Sequence, residues 1–156
     1  MLLDLNLDIK TISSVVNDFK FPPGRNQIFT YKGKDVYLNL VKNVVGFEET
    51  IDFITSHYDK YDVVICLNDN HADGRDISWI YDVNIDELIK KMDKLYCCGS
   101  RAYEMALRFE VNNFDNIEVI EDYKKCLDKS IIEGNKQKIV ITNYTPLSGI
   151  VKYFKE

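Results

Sequence analysis

Apolar positions along the chain alternate between two spacings. In residues 8–19, DIKTISSVVNDF, Ile9, Ile12, Val15, Val16 and Phe19 recur at the spacing of one helix face. Pro22, Pro23 and Gly24 end that helix. Residues 26–41, NQIFTYKGKDVYLNLV, predict two β segments around a Lys32-Gly33-Lys34 turn. Gly46 opens a helical stretch with Phe47, Ile51 and Ile54 on one side, and the run Val63-Val64-Ile65-Cys66-Leu67 reads as a buried strand over 62–67. Further on, NIDELIKKM predicts a helix with Asn84 at its N-cap and acidic residues in its first turn. KLYCC is a short strand, RAYEMALRFEV a helix after Gly99-Ser100, residues 117–120 a strand, 122–132 a helix and 138–143 a strand. PLSGIVKYF is a last helix, with Thr145 at its N-cap and Pro146 in its first turn.

Strands separated by helical runs of this length predict an α/β fold of Rossmann-like, three-layer kind. The sheet is mostly parallel, helices cover both faces, and the early hairpin adds an antiparallel edge. The 156 residues form one domain over 1–156, residues 1–23 serving as a leading helix and linker. In open α/β sheets ligands bind beyond the carboxyl ends of the strands. Those predicted ends carry Lys42-Asn43, Asn68-Asp69-Asn70, Cys98-Gly99-Ser100-Arg101 and Thr142-Asn143-Tyr144-Thr145.

Charge narrows the function. The formal net charge is -5 and no basic run exists, so there is no electrostatic footprint for nucleic acid. No stretch is long and apolar enough to insert in a membrane. Asp4 and Asp8 stand where a secretory signal needs positive and then apolar residues, so the expectation is a soluble, cytoplasmic protein. Cys66, Cys97, Cys98 and Cys126 lack C-x-x-C spacing, and reduced thiols fit that compartment.

The densest candidate chemistry is NDNHADGRDISWIYD, residues 68–82, with four aspartates and the only tryptophan. Read as a calcium loop from Asp69, it has Ile80 where the twelfth-position glutamate belongs, and no metal is expected. Gly33-Lys34 lacks the upstream glycine of a phosphate loop. Cys98 at a strand end has Glu104, not arginine, six residues on. Within 68–82, Gly74 permits a tight turn fixing Asp73 relative to Asp76, Arg75 can neutralise one carboxylate, and Trp79 with Ile77 and Ile80 would anchor the loop by burying aromatic area. The aspartates could equally do no more than satisfy turn N–H groups.

The segments GRNQ (24–27), LVKNVVGFEETI (40–51), LNDNHADGRDISWIYDVNIDEL (67–88), CCGSRAYEMALRF (97–109) and TNYTPLSGIVKYF (142–154) together resemble the C-terminal domain of the MurT family, Mur-ligase-like subunits of lipid II isoglutaminyl synthase. The resemblance implies the C-terminal fold of Mur ligases and a part in amidating the D-glutamate α-carboxyl of lipid II, which the full ligase meets at the membrane surface. It implies ATP with Mg2+ as cofactor of the full-length enzyme, and a GatD-type glutaminase partner supplying ammonia. In that family an aspartate of this domain is thought to complete the partner's Cys-His pair. Asp73 is the first choice, because Ala72 and Gly74 leave room beside it, and Asp76 the second; Asp82 is expected to cap the next turn or helix. Arg25, Lys42 and Asn43 would face the nucleotide. A P-loop domain is absent from these residues, so the domain alone is expected to bind ATP weakly and to be inactive. A stand-alone binding or regulatory module derived from such a ligase is the alternative, and an independent enzyme using Cys98 or the aspartate loop is a third.

Overall fold

A computed structural model describes residues 8–18, 22–134 and 137–156. Among these residues six strands form one sheet: β1 (Gln27–Tyr31), β2 (Lys34–Leu40), β3 (Tyr61–Cys66), β4 (Met92–Cys98), β5 (Ile117–Val119) and β6 (Gln137–Thr142). Their order is β1-β2-β6-β3-β4-β5. β1 is the antiparallel edge expected from the hairpin, and every other pairing is parallel. The hairpin turn has Lys32 and Gly33 both at positive φ, which suits a two-residue connection between right-twisted strands.

Among the described residues six helices accompany the sheet: α1 (Ile9–Asp18), α2 (Val44–His57), α3 (Asp86–Lys91), α4 (Ala102–Glu110), α5 (Tyr123–Ile132) and α6 (Tyr144–Tyr153). A 3-10 turn over Ser78–Tyr81 precedes α3. Alternation along the strands divides the core in two. Val63 and Ile65 of β3, Leu95 and Cys97 of β4, and Ile139 and Ile141 of β6 face α2, α3, α4 and the 3-10 turn. Val64, Cys66, Tyr96, Cys98 and Val140 face α5 and α6. Every residue of β3 is buried, which is why it reads as an unbroken apolar run rather than an alternating one.

Three boundaries differ from the sequence reading. α2 begins two residues before Gly46, because Asn43 caps it: its Oδ1 accepts the Gly46 N–H at 2.9 Å. Asn84 lies one position outside the N-cap of α3, but its Oδ1 still accepts the Asp86 N–H. α6 begins at Tyr144 with Asn143 at its cap, which puts Thr145 inside the first turn. α1 forms on its apolar spacing but has no buried residue, while Phe19 and residues 1–7 lie outside the described residues.

Candidate functional site

β3 and β6 are neighbours, and the chain leaves their carboxyl ends in opposite directions, toward α3 on one face and α6 on the other. A crevice opens at such a divergence. Here polar side chains fill it. Asn143 Oδ1 accepts the Asn68 backbone N–H at 3.2 Å, and Asn143 Nδ2 donates to the Asn68 carbonyl at 2.6 Å. The amides of Asn68 and Asn70 each donate to Thr145 Oγ1 at 3.0 Å. Thr145 in turn donates its hydroxyl to Asp73 Oδ2 at 2.6 Å and its backbone N–H to Asp73 Oδ1 at 2.7 Å. Asp73, from a loop 72 residues away, therefore satisfies an otherwise orphaned N–H of α6 and puts its negative charge at the helix's positive end.

The first residues of the loop are tied to α4. Asp69 accepts from the Ser100 hydroxyl at 2.8 Å and from Arg101 Nε at 2.9 Å, and the Ser100 bond, aided by the guanidinium, holds its carboxyl below the usual range. Asn68 Oδ1 accepts the Ser100 N–H at 2.9 Å. This approach depends on Gly99, at φ 92°: a Cβ there would strike the Leu67 carbonyl and lie 2.6 Å from Asn68 Oδ1.

The last residues of the loop are tied to both sides of the same core. Trp79 packs against the buried cluster and meets Phe47 of α2 edge-on, ring centroids 6.4 Å apart, while Ile80 is fully buried. The sequence pointed to Trp79 for this anchoring, and Arg108 was not foreseen. The Arg108 guanidinium is buried and donates to the carbonyls of Ile80 at 2.9 Å and Val83 at 2.6 Å, with Asn112 as a further acceptor. A lone arginine among the apolar positions of a helix, which is how α4 reads, is the signal for such a clamp.

Between these fixed ends lie the candidate aspartates. Asp73 does not face outward as expected: it is 7% exposed and both oxygens are engaged by Thr145. The small neighbours Ala72 and Gly74 are exposed, but the carboxylate turns in because the α6 N–H group attracts it. Gly74, at φ 84°, follows the turn over residues 71–73, and Asp76 beyond it is exposed to solvent. Its Oδ1 accepts the Ser78 N–H at 2.8 Å, and bonding from Ser78 lowers its pKa. Arg75 is exposed, and among the described residues no ion pair joins it to these aspartates; Arg101 is the cation that neutralises one. Asp82 is exposed, and the cap expected of it comes from Asn84.

The three residues expected near a nucleotide separate. Arg25 donates to the Leu40 carbonyl at 2.8 Å and lines a cleft of about 740 Å³ that it shares with Pro23, Ala72, Thr145, Leu147 and Val151. Lys42 is exposed outside that lining, and Asn43 is the α2 cap. Cys98 sits beside Cys66 and Cys126, fully buried; those two thiols and burial push its pKa up, so it is a core residue and not a nucleophile. No helix among the described residues is long and apolar enough to cross a membrane.

The family model "MurT ligase C-terminal" matches residues 40–147, the span from the end of β2 through the first turn of α6. The chain belongs to the MurT ligase C-terminal family. Its MurT relatives include the lipid II isoglutaminyl synthase (glutamine-hydrolyzing) subunit MurT of Staphylococcus aureus (strain COL), 31% identical over 154 residues, which cover 97% of this chain and 35% of that protein. The subunit of the same name from Streptococcus pneumoniae (strain R6) is 29% identical over 128 residues, 80% of this chain and 28% of that one. The MurT-type domain thus spans about a third of such relatives. Among solved structures, the bifunctional folylpolyglutamate synthase/dihydrofolate synthase of Yersinia pestis shares its fold at TM-score 0.68 and 15% identity, covering 96% of this chain and 35% of that one. E. coli FolC in complex with DHPP and ADP matches at TM-score 0.65 and 14% identity, again over 96% and 35%. The α/β architecture expected from the sequence, that of Mur-ligase-like C-terminal domains, is the one found.

Proposed function

We propose that this domain works as the C-terminal part of a lipid II isoglutaminyl synthase ligase subunit, and that its 68–82 loop is the docking face for a GatD-type glutaminase. Asp76 carries the reading. It is an exposed, ionised carboxylate on a loop fixed at Asp69, Asp73, Trp79 and Ile80. An acidic group that orients another protein's imidazole must be accessible, charged and held still, and these contacts support all three for Asp76. Asp73, the other aspartate considered, serves in this reading as the anchor that sets where Asp76 stands.

The cleft beside Arg25 supports a second contribution, to the nucleotide site of the complete ligase. Arg25 has guanidinium N–H groups beyond the one bonded to Leu40, and Thr145 and Ser148 add hydroxyls to the same wall. Arg25 would hold a phosphate of ATP there, and Lys42 would lie near its edge. Asn43 contributes through α2, whose first turn it caps. ATP with Mg2+ would supply carboxyl activation of lipid II in the complete cytoplasmic enzyme; these residues bind and orient. The direct test mixes the domain with the glutaminase subunit and measures association and glutamine hydrolysis. Association with faster hydrolysis is the expected result. Failure of the glutaminase to associate with either the domain or the ligase subunit containing it would end the docking reading.

A further inference from the structure

The outward side of a surface helix is normally polar, because it faces water. α2 follows this rule with Glu49, Asp52 and Ser56 exposed, and α5 with Lys124, Lys125 and Asp128. α4 does not. Its exposed line is Tyr103, Leu107 and Val111, which are 63%, 49% and 60% exposed. They stand at i, i+4 and i+8, so they stack along one face. Three large apolar side chains in a row differ from the singly scattered ones that any surface carries. The opposite face of α4, with Ala102, Met105, Ala106 and Phe109, fills the core. The helix is thus apolar on both sides, which is the pattern of a helix with a neighbour on each.

Position selects the second neighbour. α4 packs over β4 and β5, at one end of the sheet. The cleft beside Arg25 lies toward the other end, walled by Pro22, Pro23, Leu40 and α6. Parts of a ligase that close over that cleft leave α4 open. The 68–82 loop, by contrast, is tied to α4 at both of its ends. Arg101, at the start of the helix, holds Asp69, and Arg108 holds the Ile80 and Val83 carbonyls. Loop and helix therefore form one fixed surface. A stable interface takes roughly 800 Å² from each partner and has an apolar centre inside a polar rim. The loop alone lacks such a centre, since Ile80 is buried and Trp79 packs inward. The stripe on α4 supplies it. We propose that Tyr103, Leu107 and Val111 form the apolar centre on which the glutaminase subunit docks, with the 68–82 loop at its rim. The inference deepens the function proposed above and rests on it. Glu110 beside Val111 and Asp82 on the loop are exposed and put negative charge at the margin. The matching face of the partner is an apolar groove edged by basic residues. Asp73 keeps its anchoring part, and neither loop nor helix has to move.

The experiment measures, by calorimetry and with no nucleotide added, the Kd between the ligase subunit containing this domain and its glutaminase. Leu107→Glu is expected to weaken binding about thirty-fold or more and Tyr103→Ala about ten-fold or more, the scale of residues at the centre of an interface. Ile132→Glu makes the same kind of change at an exposed residue of α5, on the opposite face of the sheet, and leaves Kd within about two-fold of wild type. The unfolding temperature of each variant is measured alongside. Tyr103→Ala, which adds no charge, carries the test if Leu107→Glu unfolds early. Wild-type affinity in the α4 variants overturns the inference and leaves the docking reading of the loop standing. No binding by the wild-type subunit ends that reading and this inference with it. An equal loss of binding in Ile132→Glu also overturns the inference, as does a dimer of the 156-residue chain in sedimentation that Leu107→Glu abolishes, since the stripe then belongs to a second copy.

Discussion

Both carboxylate oxygens of Asp73 close on Thr145, one on its backbone N–H at 2.7 Å and the other on its hydroxyl at 2.6 Å. This joins the loop after β3 to the first turn of α6 across the place where the two chain directions diverge. A buried carboxylate at a helix N-terminus is an anchor, and of the two candidate aspartates Asp76 is the one left exposed.

Asp73→Asn keeps the size and one acceptor oxygen but removes the charge. It should lower stability by roughly 1–2 kcal/mol, the usual cost of weakening a helix cap together with its charge-dipole attraction. Urea unfolding of the domain checks this, with the midpoint falling at unchanged slope.

Gly99→Ala should be worse than its size suggests. The positive φ disfavours any side chain, and the added methyl meets the Leu67 carbonyl, a backbone group already held by the Arg101 N–H, which cannot turn aside. A loss of about 1–3 kcal/mol is expected. Thermal unfolding measures it, and the amide signals of Asn68 and Ser100 should shift with it, because Asn68 Oδ1 accepts the Ser100 N–H.

Acid should loosen the loop before neutral pH matters. The Asp69 carboxyl is lowered by Ser100 and Arg101, and that of Asp76 by Ser78. A carboxyl whose folded pKa lies below its unfolded value of 3.8 stabilises the fold fully above that value and loses the contribution as pH falls through the lower folded value. Stability followed by urea unfolding from about pH 7 to about pH 2 should be flat for these groups until below about pH 4, then fall. Asp69→Asn should flatten that acid limb and leave the slope near neutrality unchanged.

Strands and helices were legible because β3, β4 and β6 carry unbroken apolar runs and α2 and α4 repeat at helical spacing. The hairpin was legible from Gly33. The position of β6 between β2 and β3 was not, since nothing local in residues 137–142 states which strands flank them. The loop's anchoring by Trp79 could be read from composition, but the inward turn of Asp73 could not: its partner, Thr145, is 72 positions away, and the pull comes from a helix terminus that exists only once the sheet has formed. Arg108 was hidden for the same reason, as its acceptors are backbone carbonyls and leave no side-chain signature. The cap that Asn43 forms was not legible, because a capping asparagine resembles, in sequence, the polar end of any strand.

The cysteines give a further prediction. Burial raises the Cys97 thiol, and its neighbours Cys126 and Cys66 together with burial raise Cys98. The native protein should react with a thiol reagent far more slowly than the unfolded chain, in which all four cysteines are exposed. Fast labelling of the native fold would revive a thiol-dependent activity.

In the proposed function Asp76, on a loop held by Asp73 and Arg108, acts on the partner's imidazole. The most direct test of this is the kcat of glutamine hydrolysis by the ligase subunit–glutaminase complex bearing Asp76→Asn, with the Kd of the complex measured in parallel. The expected result is a fall in kcat of about a hundred-fold, the scale of a lost acid-base positioning group, with Kd changed only a few-fold. Wild-type kcat in Asp76→Asn, together with a collapse of kcat in a stably folded Asp73→Asn complex, would contradict it and return the role to Asp73.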